Sequence, residues 1–259
     1  LPDGAVFDIL ARRAPRTTGR TLAAIGADVR DGRRDGVGGL VEAVESARGS
    51  YVAVQGPPGT GKTYVGSRAV KELLDRGWTV GVTAQSHAVV ENFLDQLIGV
   101  GVDPDRVGKE PKDPDGPHRW TSLGSSEVHA FLAPGRVLGG TAWTFANAAA
   151  QPVDLLVVDE AGQLSLAHLL GASALAETVL LLGDPQQLPQ VSKGEHPQPI
   201  GDAALTWIAE GAPVLRADRG FFLDTSWRMH SALTRAVSEL SYAGRLGAKE
   251  DVTDARRLD

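Results

Sequence analysis

The sequence predicts an α/β fold with a mostly parallel central sheet and helices on both faces. Three observations predict it. From about residue 50 onward, short apolar runs alternate with amphipathic stretches, the pattern of strands joined by crossover helices. Each run is bounded by Gly, Pro or a polar turn, as strands covered on both faces are. The first run, YVAVQ, leads at once into GPPGTGKT at 56–63. That segment fits the phosphate-binding pattern G-x-x-x-x-G-K-[ST] between a strand and a helix.

Residues 1–49 are expected to form an N-terminal entry segment or linker. The first 35 are basic and irregular, with ARRAPR and RDGRRDG. They read as extended, with a short helix around Val6–Arg12; a solvated linker is the alternative. An ATPase domain is expected over 50–245. Its strands are predicted at Tyr51–Gln55, Thr79–Ala84, Arg136–Gly139, Leu155–Asp159 and Thr178–Leu182. Its helices are predicted at Lys62–Arg76, Ala88–Ile98, Ser165–Leu175, Ala203–Glu210 and Ser231–Tyr242. A loop insertion is expected over about 100–130, where DPDRVGKEPKDPDGPHRW is rich in Pro, Asp and Lys.

A chain of 259 residues holds one large domain or two small ones. It begins without an initiating Met and is expected to be a piece of a longer protein. No apolar run approaches the ~18 residues of a membrane span, so no membrane partner is expected. The start, LPDGAVFDILARRAPR, has its apolar stretch before its basic cluster, the reverse of a secretory signal. The absence of Cys removes disulfides, thiolate metal sites and thiol catalysis; a cytoplasmic location is expected. The net charge of −6 argues against a broad nucleic-acid surface but leaves room for a local basic groove. His87, His118, His129, His168, His196 and His230 lack metal-ligand spacing, and no zinc site is expected.

The loop Gly56, Pro57, Pro58, Gly59, Thr60, Gly61 lets backbone N–H groups turn inward onto phosphate oxygens, and the following helix adds its positive dipole end. Lys62 is expected to reach the β- and γ-phosphates of ATP, and Thr63 to bind Mg²⁺. VDLLVVDEAGQLS at 153–165 puts two carboxylates at a strand end. Asp159 is placed to hold Mg²⁺, and Glu160 to orient or deprotonate the attacking water. TVLLLGDPQQL at 178–188 carries Gln187 just beyond another strand end, where ligands of open α/β sheets sit. An amide there can hydrogen-bond both a γ-phosphate and a water.

In order, QGPPGTGKT, TAQSHAVVENFLDQL, GGTAWTF, VVDEAGQ, GDPQQLPQV and WRMH resemble motifs I, Ia, Ic, II, III and IV of superfamily 1 helicases of the Upf1-like type, over roughly 50–245. GGTAWTF, SKGEHP, SELSYAGRL and the upstream FDILARRAPR look most like bacterial proteins that fuse a RecB-like nuclease to such a helicase. The resemblance implies a RecA-like P-loop NTPase domain 1A that hydrolyses ATP and moves 5′→3′ on single-stranded nucleic acid. It implies that Thr83, Ser86 and His87 face the strand, that Thr141 contacts its backbone, that Gln187 links γ-phosphate to strand, and that Arg228 reaches toward the γ-phosphate. Hydroxyls and N–H groups at strand ends hold phosphates without reading bases. Trp143 could stack on a base, but core packing is the commoner role of such a Trp, and Trp207 and Trp227 read as packing.

The chain departs from that family at the adenine-reading region, at motif IV, where SWRMHS stands in place of Gln-Tyr before the Arg and Pro after the His, and in the domains it lacks. DGVGGLVEAVESARGS, before the first strand, has neither Gln nor Asn where relatives carry an adenine-reading Gln, so base selectivity is expected to be loose. Residues 246–259 read as a truncated lead into an absent second RecA-like domain, the one that carries motifs V and VI and a transition-state Arg. No D…E-x-K arrangement for the nuclease is found. The isolated chain is therefore expected to be weakly active, with the second RecA-like domain and the RecB-like nuclease domain as its partners in the full-length protein. DNA is favoured over RNA as the track because of the nuclease fusion, with a role in DNA repair or recombination. An RNA helicase of the same superfamily, an AAA+ ATPase and a non-enzymatic ATP-gated nucleic-acid-binding module are the alternatives.

Overall fold

The computed structural model describes residues 3–113, 116–187 and 199–255. The helices are α1 (Ala5–Leu10), α2 (Leu22–Arg30), α3 (Gly36–Ser46), α4 (Lys62–Asp75), α5 (His87–Gly99), α6 (Ala142–Phe145), α7 (Leu166–Ala172), α8 (Ala204–Ala209), α9 (Ser231–Ser241) and α10 (Glu250–Thr253). The strands are β1 (Tyr51–Gln55), β2 (Val80–Thr83), β3 (Val107–Lys109), β4 (Thr121–Ser122), β5 (Val137–Gly140), β6 (Val153–Val158), β7 (Ala176–Gly183), β8 (Gly220–Phe222), β9 (Thr225–Ser226) and β10 (Gly247–Ala248). β1 to β8 form one sheet in the order β4-β3-β5-β2-β6-β7-β1-β8, parallel throughout. β9 and β10 pair separately, also in parallel.

Strand side chains alternate between two apolar layers, as a period of two requires. Val52, Val54, Val80, Val82, Leu155, Val157, Leu180 and Leu182 enter the layer under α2 to α5. Tyr51, Ala53, Leu156, Val158, Val179 and Leu181 enter the layer under α1 and α6 to α8. Burial on both faces explains why these strands read as unbroken apolar runs. β6, β7 and β1 are neighbours in the middle of the sheet, so their carboxyl ends, and the three motifs they carry, meet at one place.

The five predicted strands all form, within a residue or two of their expected ends. The predicted helix at Ser165–Leu175 stops at Ala172: the Ser173 hydroxyl bonds back to the Leu169 carbonyl at 2.7 Å, and β7 starts at Ala176. Elsewhere the chain is more ordered than its composition suggests. Residues 22–46, expected to belong to an entry segment, form α2 and α3, capped by Thr21 and Asp35 and buried through Leu22, Ile25, Leu40, Val41 and Val44. Their low helix propensity, with glycines at 36, 38 and 39, is overridden by tertiary burial. The segment before them is anchored too. Ser50 Oγ donates to the buried Asp8 carboxylate at 2.7 Å, Tyr51 Oη donates to the Arg13 carbonyl at 2.9 Å, and the Arg12 guanidinium lies 3.4 Å over the Trp207 ring. The expected loop at about 100–130 contains β3 and β4, which extend one edge of the sheet, and β8 extends the other. Strands of two or three residues carry too little periodicity to be read from sequence.

Candidate nucleotide site and nucleic-acid face

The phosphate loop joins β1 to α4. The Gly56 N–H donates to the Gly183 carbonyl at 2.8 Å, which ties the loop to the end of β7. Thr60 Oγ1 donates to the Pro57 carbonyl at 2.7 Å and braces the turn from within. Gly59 has φ +80°, and a Cβ there would lie 2.4 Å from Arg228 Cβ; only glycine satisfies both the backbone and the space. Lys62 opens the 14-residue α4 and is buried, its Nζ donating to the Gly56 carbonyl at 2.8 Å. The ammonium thus spans the loop at the positive end of the helix dipole, where an anion is favoured.

Asp159 follows β6 and is buried. Its N–H donates to the Thr83 carbonyl at 2.9 Å, and its carboxylate accepts from the Glu160 N–H at 3.0 Å and from Thr63 Oγ1 at 3.5 Å. Burial, and then the adjacent Glu160 carboxylate, push its pKa up to about 6, against the Glu160 N–H, Lys62 and Thr63. A desolvated carboxylate beside a hydroxyl is an oxygen donor set that suits a hard divalent cation. Glu160 has φ +51°, a left-handed conformation costing a non-glycine residue roughly 1–2 kcal/mol. Its Oε2 is buried without a hydrogen-bond partner among the described residues. Strain together with an unsatisfied buried oxygen marks a group held for chemistry rather than for stability.

The turn after β7 closes the site. The Ala161 N–H donates to the Leu182 carbonyl at 2.8 Å, and the Gln187 N–H donates to the Asp184 carbonyl at 3.3 Å. Residues 188–191 of the same motif, and His196, lie outside the described residues. The Arg228 segment is strapped to the phosphate loop: the Trp227 N–H donates to the Gly59 carbonyl at 2.8 Å, and Ser226 Oγ to the Pro58 carbonyl at 3.4 Å. Lys62, Thr63, Asp159, Glu160, Gln187 and Arg228 thus come from segments held together by backbone hydrogen bonds.

The residues expected to face nucleic acid divide. Thr83 is fully buried; its hydroxyl does not reach the surface, and its carbonyl positions Asp159 instead. Ser86 is exposed and caps α5, accepting from the Val89 N–H at 3.3 Å. His87 and Thr141 line one open cleft of ≈ 420 Å³ together with Lys112, His129, Trp143 and Asn147. Trp143 is 74% exposed, which overturns the core role expected of it. Ala142 and Phe145 take the buried positions of α6, and the ring of Trp143 turns outward, edge-on to His168 at 5.9 Å. Trp227, expected to be packing, is 49% exposed because its backbone, not its ring, makes the anchor. Trp207 does pack, its Nε1 donating to the Ile9 carbonyl at 3.0 Å. Sequence reasoning gave no role to Asp184 or Tyr242; their signal was a carboxylate one residue past an apolar strand and an aromatic closing a helix. Among the described residues no helix is long and apolar enough to cross a membrane.

A family model described as an AAA domain matches residues 39–256. The DNA replication ATP-dependent helicase/nuclease JHS1 of Arabidopsis thaliana is 25% identical over 208 residues, 76% of this chain and 15% of that protein. The DNA replication ATP-dependent helicase/nuclease DNA2 of Xenopus laevis is 28% identical over 219 residues, 78% of this chain and 20% of that protein. The chain therefore spans no more than a fifth of either relative. Among solved structures, the nonstructural protein 10 helicase of an arterivirus superposes with a TM-score of 0.50 at 18% identity, covering 77% of this chain and 40% of that one. The shared fold is the mostly parallel α/β arrangement described above.

Proposed function

The chain belongs to the AAA-domain family, and on that premise we propose that it is the RecA-like first motor domain, 1A, of a superfamily 1 helicase that hydrolyses ATP to move 5′→3′ along single-stranded DNA. One observation carries the reading: three motifs at the ends of the adjacent strands β1, β6 and β7 converge with the Arg228 segment on one phosphate loop. Relatives named DNA replication ATP-dependent helicase/nucleases support DNA as the track.

In this mechanism the loop N–H groups and Lys62 hold the β- and γ-phosphates, Lys62 exchanging the Gly56 carbonyl for phosphate oxygen. Thr63 and Asp159 would hold Mg²⁺, which would supply positive charge to offset that of the phosphates. Glu160 takes the proton of the attacking water, its unpaired buried oxygen being free to accept it. Gln187 orients that water and senses the γ-phosphate, and Arg228 completes the cradle from the Gly59 side. Ser86, His87 and Thr141 contact the strand backbone, and Trp143 offers a stacking face.

The AAA+ alternative expects a polar sensor on β7, where this chain continues into Gly183, Asp184, Pro185, Gln186 and Gln187. Within the wider protein we place a second RecA-like domain and a RecB-like nuclease domain, a cytoplasmic location and work in DNA repair or recombination. β9 and β10 have no further strand neighbour among the described residues, and Leu240 of α9 is 85% exposed. Parallel strands are ordinarily covered on both faces. On this reading the first domain starts at α1, whose Ala5 and Ile9 enter the core, rather than at residue 50, and the β9–α9–β10 unit already opens the second.

The test is ATP turnover by the full-length protein with no strand, with single-stranded DNA and with single-stranded RNA. Stimulation by DNA is the expected result. Stimulation by RNA alone would make this an RNA helicase, and no stimulation by either would remove the motor reading.

A further inference from the structure

Asp184 is fully buried, one residue past β7. Its Oδ1 accepts from the Gln186 N–H at 3.1 Å, and its carbonyl accepts from the Gln187 N–H at 3.3 Å. Its Oδ2 accepts from the hydroxyl of Tyr242 at 2.6 Å, across 58 residues of chain. Gly162, in the acidic-pair turn, presses on the same residue: a Cβ there would lie 2.3 Å from the Asp184 carbonyl oxygen. The carboxylate therefore sits where the Glu160 turn and the Gln187 turn meet, and its outer partner is a phenol.

Tyr242 closes α9 and is itself buried, its ring 6.0 Å from that of Phe222. Burial and the Asp184 carboxylate raise its pKa, which keeps the hydroxyl protonated as a donor. The unit from β9 to Tyr242 thus touches the nucleotide site twice. At its start the Trp227 N–H holds the Gly59 carbonyl. At its end Tyr242 holds Asp184. The 11-residue helix α9 joins the two contacts, so a rotation of this unit reaches the phosphate loop and the Gln187 turn together.

We propose that Tyr242 is a positioning residue: its hydroxyl, through Asp184, sets the Gln187 turn and couples movement of the β9–α9 unit to ATP turnover. This rests on the motor reading above. A charge-assisted hydrogen bond in a buried site is directional and costly to leave unmade, which suits a contact that must transmit position rather than add adhesion.

The test is Tyr242→Phe in the full-length protein, which keeps the ring and removes the hydroxyl. Strand-stimulated kcat is expected to fall about tenfold, the effect of losing one hydrogen bond to a buried charge, with KM for ATP unchanged. A merely structural role would instead lower the melting temperature and leave the kcat of the folded fraction alone; that result overturns the proposal. Asp184→Asn and the double variant give a second measurement. If Tyr242 acts through Asp184, the double variant is no worse than the poorer single one, whereas additive losses sink the coupling. A parental protein without strand-stimulated turnover removes the motor reading itself. A stimulated parent matched by an equally stimulated Tyr242→Phe removes only the positioning role of Tyr242.

Discussion

The proposed nucleotide site and the proposed nucleic-acid face differ sharply in how tightly their residues are tied down within one sheet. At the proposed nucleotide site Gly56, Thr60, Lys62, Asp159, Ala161 and Asp184 are tied to neighbouring strand ends or turns, and the Asp159 and Glu160 carboxylates are buried or strained. At the other face His87, Thr141 and Trp143 line an open cleft, and no side-chain capping bond from Thr141 organises it. The chemistry explains the difference. Phosphoryl transfer is accelerated by groups already in place, whereas a track that must be released and regripped is served by exposed contacts to backbone and ring faces. Rigidity should therefore be expensive to disturb at the first site and cheap at the second.

The sharpest way to break that comparison is Glu160→Gln. It keeps the loop and removes the base, so turnover in the full-length protein should drop by about 10³-fold while ATP affinity is retained. Parental turnover in a steady-state assay would remove Glu160 from its role. Next comes Gly59→Ala, which adds a methyl group where φ is +80° and Arg228 Cβ would be 2.4 Å away. Strain of about 1–2 kcal/mol should weaken nucleotide binding roughly tenfold in a fluorescent-nucleotide titration. Thr141→Ala in the open cleft should leave that titration unchanged. If both variants bind nucleotide equally, the contrast between the two faces is not one of preorganisation.

These residues also show what the sequence could convey. The phosphate loop, the acidic pair and the Gln turn were legible because each is a contiguous string after an apolar strand, so local order alone places its groups. Tyr242 and Asp184 were not, because their hydrogen bond joins positions 58 residues apart that no local period relates. Thr83 was misplaced for a similar reason: its motif position marks a strand end, but burial decides that its carbonyl rather than its hydroxyl is used. α2 and α3 were hidden by glycines and arginines, whose propensities are poor guides once Ile25 and Val44 are buried. Trp143 was misjudged because a four-residue helix has too few turns to show which face is apolar.

On the open face the expected effects are smaller. Trp143→Ala should weaken single-stranded DNA about tenfold, the loss of one stacked base, with no change in unstimulated turnover or melting temperature, since the 74% exposed ring supports no core. Fluorescence anisotropy at fixed salt reads this directly. An unchanged affinity would return the ring to the role of a bystander.

The smallest effect belongs to His87. Burial, then the charge of Lys109, hold its pKa below the ordinary 6.5, with Glu91 opposing and Lys112 and Glu110 acting in smaller measure. The sign follows from linkage. A His whose folded pKa is depressed contributes stability present above 6.5 and lost as pH falls through the folded value, because the unfolded chain takes up the proton first. Binding runs the other way: a proton gained in the cleft adds a positive charge facing phosphate, so DNA affinity should rise on acidification. Between about pH 8 and about pH 5 the parental protein should therefore lose melting temperature and gain DNA affinity. His87→Asn should flatten part of both slopes, leaving the shares of the other histidines. Superimposable profiles for parent and variant would mean that His87 neither titrates in the cleft nor meets the strand, and the nucleic-acid face would then begin at Thr141.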